Sequence, residues 1–301
     1  MVASPYTFRN YLPTDFEKLV SFFQKELPSH FSTRQWVREW LSWPGLTPGK
    51  DLFIVEIDNT IAGYICVRPE LGIGRVVLGC RLGSHHRRKG LALLLLNCAL
   101  KRARELGAVV AHVDVMADNL IARKALERDE FKVVREYYQL KMHMSKVDWE
   151  EAEKVSQGCR HLMPGEEAAL ADIQNRSFAE HWGYNPNTSE TIAFLINRDQ
   201  SSPEDIVLTC EEDNIIGFCR TELSGNGEGR ILMIGTDPDY RGKGIGKKSL
   251  LAGLIYLRSK DVHTVYLTVD TANETAINLY KSVGFEHSNI LMTYEKAVDH
   301  N

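Results

Sequence analysis

The sequence predicts an α/β (α+β) protein built from two tandem copies of one domain, each a mixed, mostly antiparallel sheet flanked by helices. Three observations predict it. The chain has 301 residues, enough for about two domains of ~100–200 residues each. It matches itself at an offset of 154 residues, pairing Gly63 with Gly217, Arg87 with Arg241, Lys89 with Lys243, Gly90 with Gly244, Asn119 with Asn273, Ala122 with Ala276 and Phe131 with Phe285. Each copy then runs through the same succession of two-residue and 3.6-residue apolar periods. Over residues 53–131 the offset gives 13 identities in 79 positions, against ~5 expected from ordinary composition. The identities fall at strand ends, a glycine turn and a helix start, where backbone geometry limits residue choice.

In chain order, helical patterns occupy Thr14–Glu26 and Thr33–Trp43 in the first copy, and Gly165–Trp182 and Ser189–Asn197 in the second. Here the offset is 151, pairing Arg9 with Arg160 and Pro13 with Pro164. Trp36, Trp40 and Trp43 recur at helical spacing and read as core packing. Apolar, β-branched runs Asp51–Asp58 and Ile61–Arg68 flank Asn59-Thr60, a hairpin signal; Ile206–Glu212 and Ile215–Glu222 repeat it around Asp213-Asn214. A third strand, Arg75–Leu82 or Arg230–Thr236, enters a glycine turn and a long helix, Gly90–Leu106 or Gly244–Lys260. An apolar strand follows at Val109–Met116 or Thr264–Asp270, then a short helix opening at Asn119 or Asn273, then a strand from Phe131 or Phe285. The polar stretch Ser145–Gly158 sets the predicted boundary: copies 1–146 and 159–301, joined by a linker over 147–158.

Composition narrows the function. Lys plus Arg is 36 and Asp plus Glu is 40, a formal charge of −4, which argues against a nucleic-acid partner because phosphate-backbone affinity needs a basic surplus. Met1 to Asn10 is polar, without the apolar core of a secretory signal, and no run approaches the ~20 apolar residues of a membrane span. The expectation is a cytosolic protein with no membrane partner. The six cysteines, Cys66, Cys80, Cys98, Cys159, Cys210 and Cys219, contain no C-x-x-C pair, so neither a disulfide frame nor a metal site is expected.

The chemistry-bearing feature is the glycine turn. The first copy reads His86-Arg87-Arg88-Lys89-Gly90-Leu91-Ala92 and the second Tyr240-Arg241-Gly242-Lys243-Gly244-Ile245-Gly246, both R-x-x-G-x-(G/A). Between a strand and a helix, such a turn aims several N–H groups and the positive helix end at one point, and a phosphate or pyrophosphate is the natural ligand. Two familiar nucleotide loops are excluded. A Walker loop would need a glycine where Arg241 stands, and a dinucleotide fingerprint would need one at Lys247.

These turns, together with Ala276-Ile277-Asn278-Leu279-Tyr280-Lys281-Ser282-Val283-Gly284-Phe285, resemble the GNAT acetyltransferase superfamily, in its pyrophosphate loop and its A..LY...GF segment. The resemblance covers both halves. It implies acetyl-CoA as co-substrate and a third strand splayed from the fourth. Pantetheine would pair with Ile234, Gly235 and Thr236, and the N–H near Ile234 would face the developing oxyanion. Arg241, Gly242, Lys243, Gly244, Ile245, Gly246 and Lys247 would hold the diphosphate, with Asn273 close by. Leu82, Arg87, Arg88, Lys89, Gly90, Leu91, Ala92 and Asn119 are the corresponding first-copy positions. Tyr280, seven residues from Asn273 and so on nearly the same helix face, would be the general acid that protonates the leaving thiolate. The first copy has Leu126 there, and Glu130 in place of Gly284, so catalysis is expected in the second copy and a degenerate role in the first. Glu180, Glu222 and Glu228 are the candidate bases; His181 and Trp182 read mainly as packing or surface residues. The expected activity is transfer of an acetyl group to a primary amine of a small molecule or peptide. The alternative is a non-catalytic acyl-CoA-binding or sensing module. Oligomeric state is not readable.

Overall fold

In each half an arginine in the opening strand meets a carboxylate six residues on, and this closes the turn into the first helix. The computed structural model describes residues 5–27, 33–198, 201–212 and 214–299. Arg9 in β1 (Thr7–Asn10) grips Asp15 through both terminal nitrogens at 2.6 and 2.7 Å, and Arg160 in β7 (Cys159–His161) grips Glu166 at 2.7 and 2.7 Å. The same carboxylates accept from the N–H of Leu12 and of Met163, both at 2.8 Å. These planar two-point pairs explain why Arg9/Arg160 and Pro13/Pro164 match at an offset of 151.

The first half continues with α1 (Phe16–Glu26), α2 (Arg34–Leu41), α3 (Pro48–Asp51), β2 (Leu52–Ile57), β3 (Thr60–Glu70), β4 (Arg75–Leu82), α4 (Leu91–Glu105), β5 (Val110–Met116), α5 (Leu120–Arg128) and β6 (Lys132–His143). After α6 (Trp149–Val155) and β7 come α7 (Glu167–Phe178), α8 (Ser189–Ile196), β8 (Ile206–Glu211), β9 (Asn214–Gly225), β10 (Glu228–Thr236), α9 (Ile245–Ser259), β11 (Thr264–Asp270), α10 (Glu274–Val283) and β12 (Glu286–Ala297). The predicted succession is present in both halves. β1 and β7, of four and three residues, were too short to show a period. The first hairpin turns on Asp58 and Asn59, both at positive φ, one residue earlier than the sequence suggested. In the second hairpin Glu212 has positive φ, while Asp213, like the first four residues of the N-terminal stretch, lies outside the described residues. Trp36 and Trp40 pack against Phe23 with ring centroids 5.6 and 5.4 Å away, as expected of core residues.

The division of the chain differs from the predicted one. One compact unit is 1–136 with 291–301, and the other is 137–290. In the first, the sheet order is β1-β2-β3-β4-β5-β12; in the second it is β6-β11-β10-β9-β8-β7. Each half thus gives away its last strand. β12 pairs antiparallel with β5 from Leu291↔Met116 to Ala297↔Val110, and β6 with β11 from Thr264↔His143 to Asp270↔Tyr137. The boundaries at 146 and 159 are therefore corrected, and the expected linker carries α6 within the second unit. In that unit α9 and α10 cover one sheet face and α7 and α8 the other, each with its own buried apolar cluster.

Candidate acyl-transfer site

β10 is bonded on both sides only at its start. Its parallel pairing with β11 runs from Glu228↔Thr264 to Ile231↔Leu267 and stops, while the pairing with β9 continues to Thr236↔Gly217. Between Ile231 and Met233 the β9 register slips, leaving Leu232 as an extra residue. Such a bulge bends a strand and re-aims its backbone. Asp237 N–H donates to the Ile216 carbonyl at 3.0 Å. Alternation then points Gly235 at β9, and the N–H and C=O of Ile234 and Thr236 into the wedge opened between β10 and β11. A Cβ on Gly235 would lie 2.6 Å from the Phe218 ring and 2.9 Å from Ser177 Cβ, so only glycine lets α7 close over the strand here.

The glycine turn follows directly. Gly242 and Gly244 have φ of +76° and +81°, and a Cβ on either would meet nothing within 4 Å. The Lys248 N–H donates to the Gly244 carbonyl at 3.0 Å, the first closing bond of α9. The N–H groups of Ile245, Gly246 and Lys247 therefore have no helical acceptor. A Cβ on Gly246 would lie 3.5 Å from Thr236 Oγ1 and 3.4 Å from Leu279, so the turn, the end of β10 and α10 converge at one place. An open turn, unbonded amides and a helix N-terminus over Gly242–Lys247 are features that suit an anion such as a diphosphate, and Ile234–Thr236 leave a backbone edge unpaired beside them.

The flanking cations are placed otherwise than the sequence suggested. Arg241 donates to the Ser177 carbonyl at 2.9 Å and lies 3.9 Å from Glu180. Lys247 holds Glu151 at 2.6 Å, and Lys243 sits 4.6 Å over the Tyr240 ring. The amides, more than the side chains, face the open turn.

On α10, Asn273 accepts from the Ala276 N–H at 3.1 Å and so caps the helix. Tyr280 is only 6% exposed, stands edge-on to Phe285 at 6.0 Å, and its phenol has no hydrogen-bond partner among the described residues. Burial raises its pKa above the ordinary 10, and nearby Cys219 adds to the shift. Cys219 is the register partner of Ile234, which places the neutral phenol on the face of the sheet beside the wedge. Ile234 itself packs against the same apolar cluster.

The three glutamates are not brought together. Glu228 accepts from the Tyr266 hydroxyl at 3.1 Å at the far end of β10, six residues or ~20 Å from Ile234 along the strand, and is dropped as a base. Glu222 is 3.7 Å from Arg198, on the α8 face. Glu180 is exposed beyond α7. His181 is exposed and packs on Phe178, as a surface or packing residue does. Its ring meets Phe178 at 4.6 Å, and the charges of Arg241, just after β10, and Asp270, at the end of β11, both act on it. It therefore lies by the mouth of the wedge. Burial, then Arg241, lowers its pKa from 6.5, keeping the imidazole neutral. No spacing rule in the sequence announces this, because the neighbours come from three elements.

The first unit repeats the plan with changes. β4 leaves β5 after Val77↔His112, but pairs with β3 from Glu70↔Arg75 to Gly63↔Leu82 without a register slip. Its turn has Gly90 at φ +77° and, where the other has Gly242, Arg88 at +62°. Leu91 and Ala92 begin α4, and Asn119 caps α5 through the Ala122 N–H at 3.2 Å. Arg87 donates to the Leu82 carbonyl at 3.3 Å and Lys89 to the Tyr6 hydroxyl at 3.0 Å. Leu126, at 7% exposure, fills the place of Tyr280.

The acetyltransferase (GNAT) family profile matches residues 16–131 and 168–285, and the chain belongs to that family. It is an N-acetyltransferase that takes acetyl-CoA as its co-substrate. A mycothiol acetyltransferase from Stackebrandtia nassauensis is 28% identical over 258 residues, covering 83% of this chain and 84% of its own. Among solved structures, a GCN5-related N-acetyltransferase from Sphaerobacter thermophilus superposes with a TM-score of 0.70 at 20% identity, covering 99% of this chain and 97% of that one. A tandem GNAT protein from the clavulanic acid biosynthesis pathway superposes at 0.73 and 12% identity, covering 98% and 99%. These superpositions establish the tandem fold. Among the described residues no helix is long and apolar enough to cross a membrane.

Proposed function

We propose that this chain, read from its sequence as a cytosolic enzyme, transfers the acetyl group of acetyl-CoA to a primary amine of a small molecule or peptide, by direct attack in a ternary complex in the second unit. The observation that carries the proposal is the parting of β10 from β11 beyond Ile231↔Leu267, next to the buried phenol of Tyr280. Bound acetyl-CoA supplies an activated thioester carbonyl. The Ile234 N–H donates to the carbonyl oxygen as charge develops there. As the C–N bond forms and the C–S bond breaks, Tyr280 gives its proton to the departing sulfur. The amine's surplus proton leaves through water or the neutral His181 imidazole, with Glu180 beside Arg241 at the same mouth. The first unit, with an amide turn but Leu126 in place of the acid, holds acyl-CoA without turnover. The relatives named mycothiol acetyltransferases make their acceptor one member of the panel to be tried.

Release of the CoA thiol, followed across a broad panel of amines, is the test. Thiol should appear with at least one amine and fall by about 100-fold in Tyr280→Phe. Binding of acetyl-CoA with no thiol release from any amine, and no effect of Tyr280→Phe, would instead leave the sensing module.

A further inference from the structure

On the α8 face of the second unit lies a small cavity, ≈ 10 Å³, lined by Arg198, Arg220, Glu222, Asp205 and Leu232 among others. Its two arginines and two carboxylates balance in number but do not all meet in pairs. Asp205 is committed, accepting from the Tyr256 hydroxyl at 2.7 Å and the Ser202 N–H at 2.7 Å. Glu222 lies 3.7 Å from Arg198. The Arg220 guanidinium has no hydrogen-bond or ion-pair partner among the described residues. Enclosure by protein, then the neighbouring charge of Arg198, pulls its pKa down to about 10 against the weaker opposing charges of Glu222 and Asp205. A desolvated cation with no carboxylate in direct contact is costly, and the fold keeps it.

Its position ties it to the transfer site. Arg220 is the register partner of Met233, the residue before Ile234, and the bulged Leu232 lines the same cavity with 42% of its surface exposed. A group seated on Arg220 is thus one strand residue from the N–H that faces the thioester oxygen. It lies on the opposite side of the sheet from Tyr280, because the cavity is on the α8 face and the phenol is in the α9/α10 cluster. The cavity has about the room of one water, so a ligand would reach Arg220 only with a terminal group that takes that water's place, entering past the exposed Leu232.

We propose that the acceptor carries a carboxylate as well as its amine, and that Arg220, flanked by Arg198, binds that carboxylate. This rests on the transferase reading given above and names the class of its acceptor. The guanidinium fork matches a carboxylate at two points, and Leu232 offers an apolar wall for the methylenes between carboxylate and amine.

The test uses the full-length enzyme with ω-amino acids from glycine to 6-aminohexanoate, each beside its primary amide. The acid of the best-fitting length should exceed its amide in kcat/KM by roughly 10–100-fold, through the acceptor KM, as a charge-assisted bond to a desolvated guanidinium warrants. Arg220→Met should bring acid and amide to within about threefold while the KM for acetyl-CoA stays put, and Arg220→Lys should restore part of the preference. Equal use of acids and amides by the wild type overturns the proposal, as does an equal loss on both in Arg220→Met. Calorimetric titration of wild-type protein with the same acids and amides covers the case in which Arg220→Met fails to fold, with selective binding of an acid expected. It also separates the two readings. Selective acid binding without turnover would remove the transferase and keep the anion site, whereas turnover without acid preference would do the reverse.

Discussion

The two units share an architecture and differ at three backbone or side-chain details that decide what each can do. Both have a third strand that leaves the fourth, both have a left-handed glycine before the long helix, and both cap the next helix with asparagine. Only in the second does the third strand bulge, at Leu232, and only there are glycine at both left-handed positions of the turn and a phenol at position 280. In the first, β4 is regular, Arg88 adopts the left-handed conformation, and Leu126 occupies the place of Tyr280. The turn keeps its backbone form through substitutions that replace the phenol of the second unit by a leucine in the first.

The largest effect expected on this contrast comes from Gly244→Glu. At φ +81° it strains the turn and puts a carboxylate where the diphosphate belongs, so turnover should fall at least about 100-fold. Gly90→Glu should leave kcat within about twofold and lower stability by about 1–2 kcal/mol. Equal loss of thiol release from both would break the assignment of the catalytic unit.

Next, Tyr280→Phe should lower kcat by about 100-fold with the KM for acetyl-CoA unchanged, whereas Leu126→Ala should cost about 2–4 kcal/mol in denaturant melts and leave kcat alone. Because the Tyr280 phenol is raised above 10, the acid stays protonated and the alkaline limb of kcat that it sets should lie above pH 10. A limb near neutrality that disappears in Tyr280→Phe would contradict this.

The arginine–carboxylate clamps sharpen the comparison at the level of stability. The arginine bonds hold the Asp15 and Glu166 carboxyls below their ordinary values. Their contribution is therefore complete above the unfolded-state values near 4 and is lost as pH falls through the folded ones. Asp15 is 3% exposed and Glu166 25%, so at pH 7 Arg9→Met should cost about 2–3 kcal/mol and Arg160→Met about 1 kcal/mol. Urea melts at pH 7 and pH 3 measure both, and both penalties should shrink at the lower pH.

The smallest effect concerns the left-handed residue after the short helix. Glu130 sits there at φ +64° and Gly284 at +109°. Glu130→Gly should gain about 0.5–1 kcal/mol. Gly284→Ala should lose about 1–2 kcal/mol, since its Cβ would lie 3.3 Å from that of Lys146. Thermal melts of the two variants should move in opposite directions.

Much of the site was legible because it is local. The turn 241–246, the helix start at Asn273 and the placement of Tyr280 follow from residues close in sequence whose backbone needs are specific. The partners of Arg241 and Lys247, the exclusion of Glu228 and the setting of His181 were not legible, since each depends on a residue from another element.

The sequence by itself determined the order of elements, the duplication and the phosphate turn, through apolar period and glycine placement. Only the tertiary structure decided that β12 closes the first sheet and β6 the second, that β10 bulges at Leu232, and that Arg220 has no carboxylate in direct contact among the described residues. The reason is that backbone amides and carbonyls bond equally well to either copy's strand. A two-residue alternation records which face is buried but carries no record of the neighbour chosen.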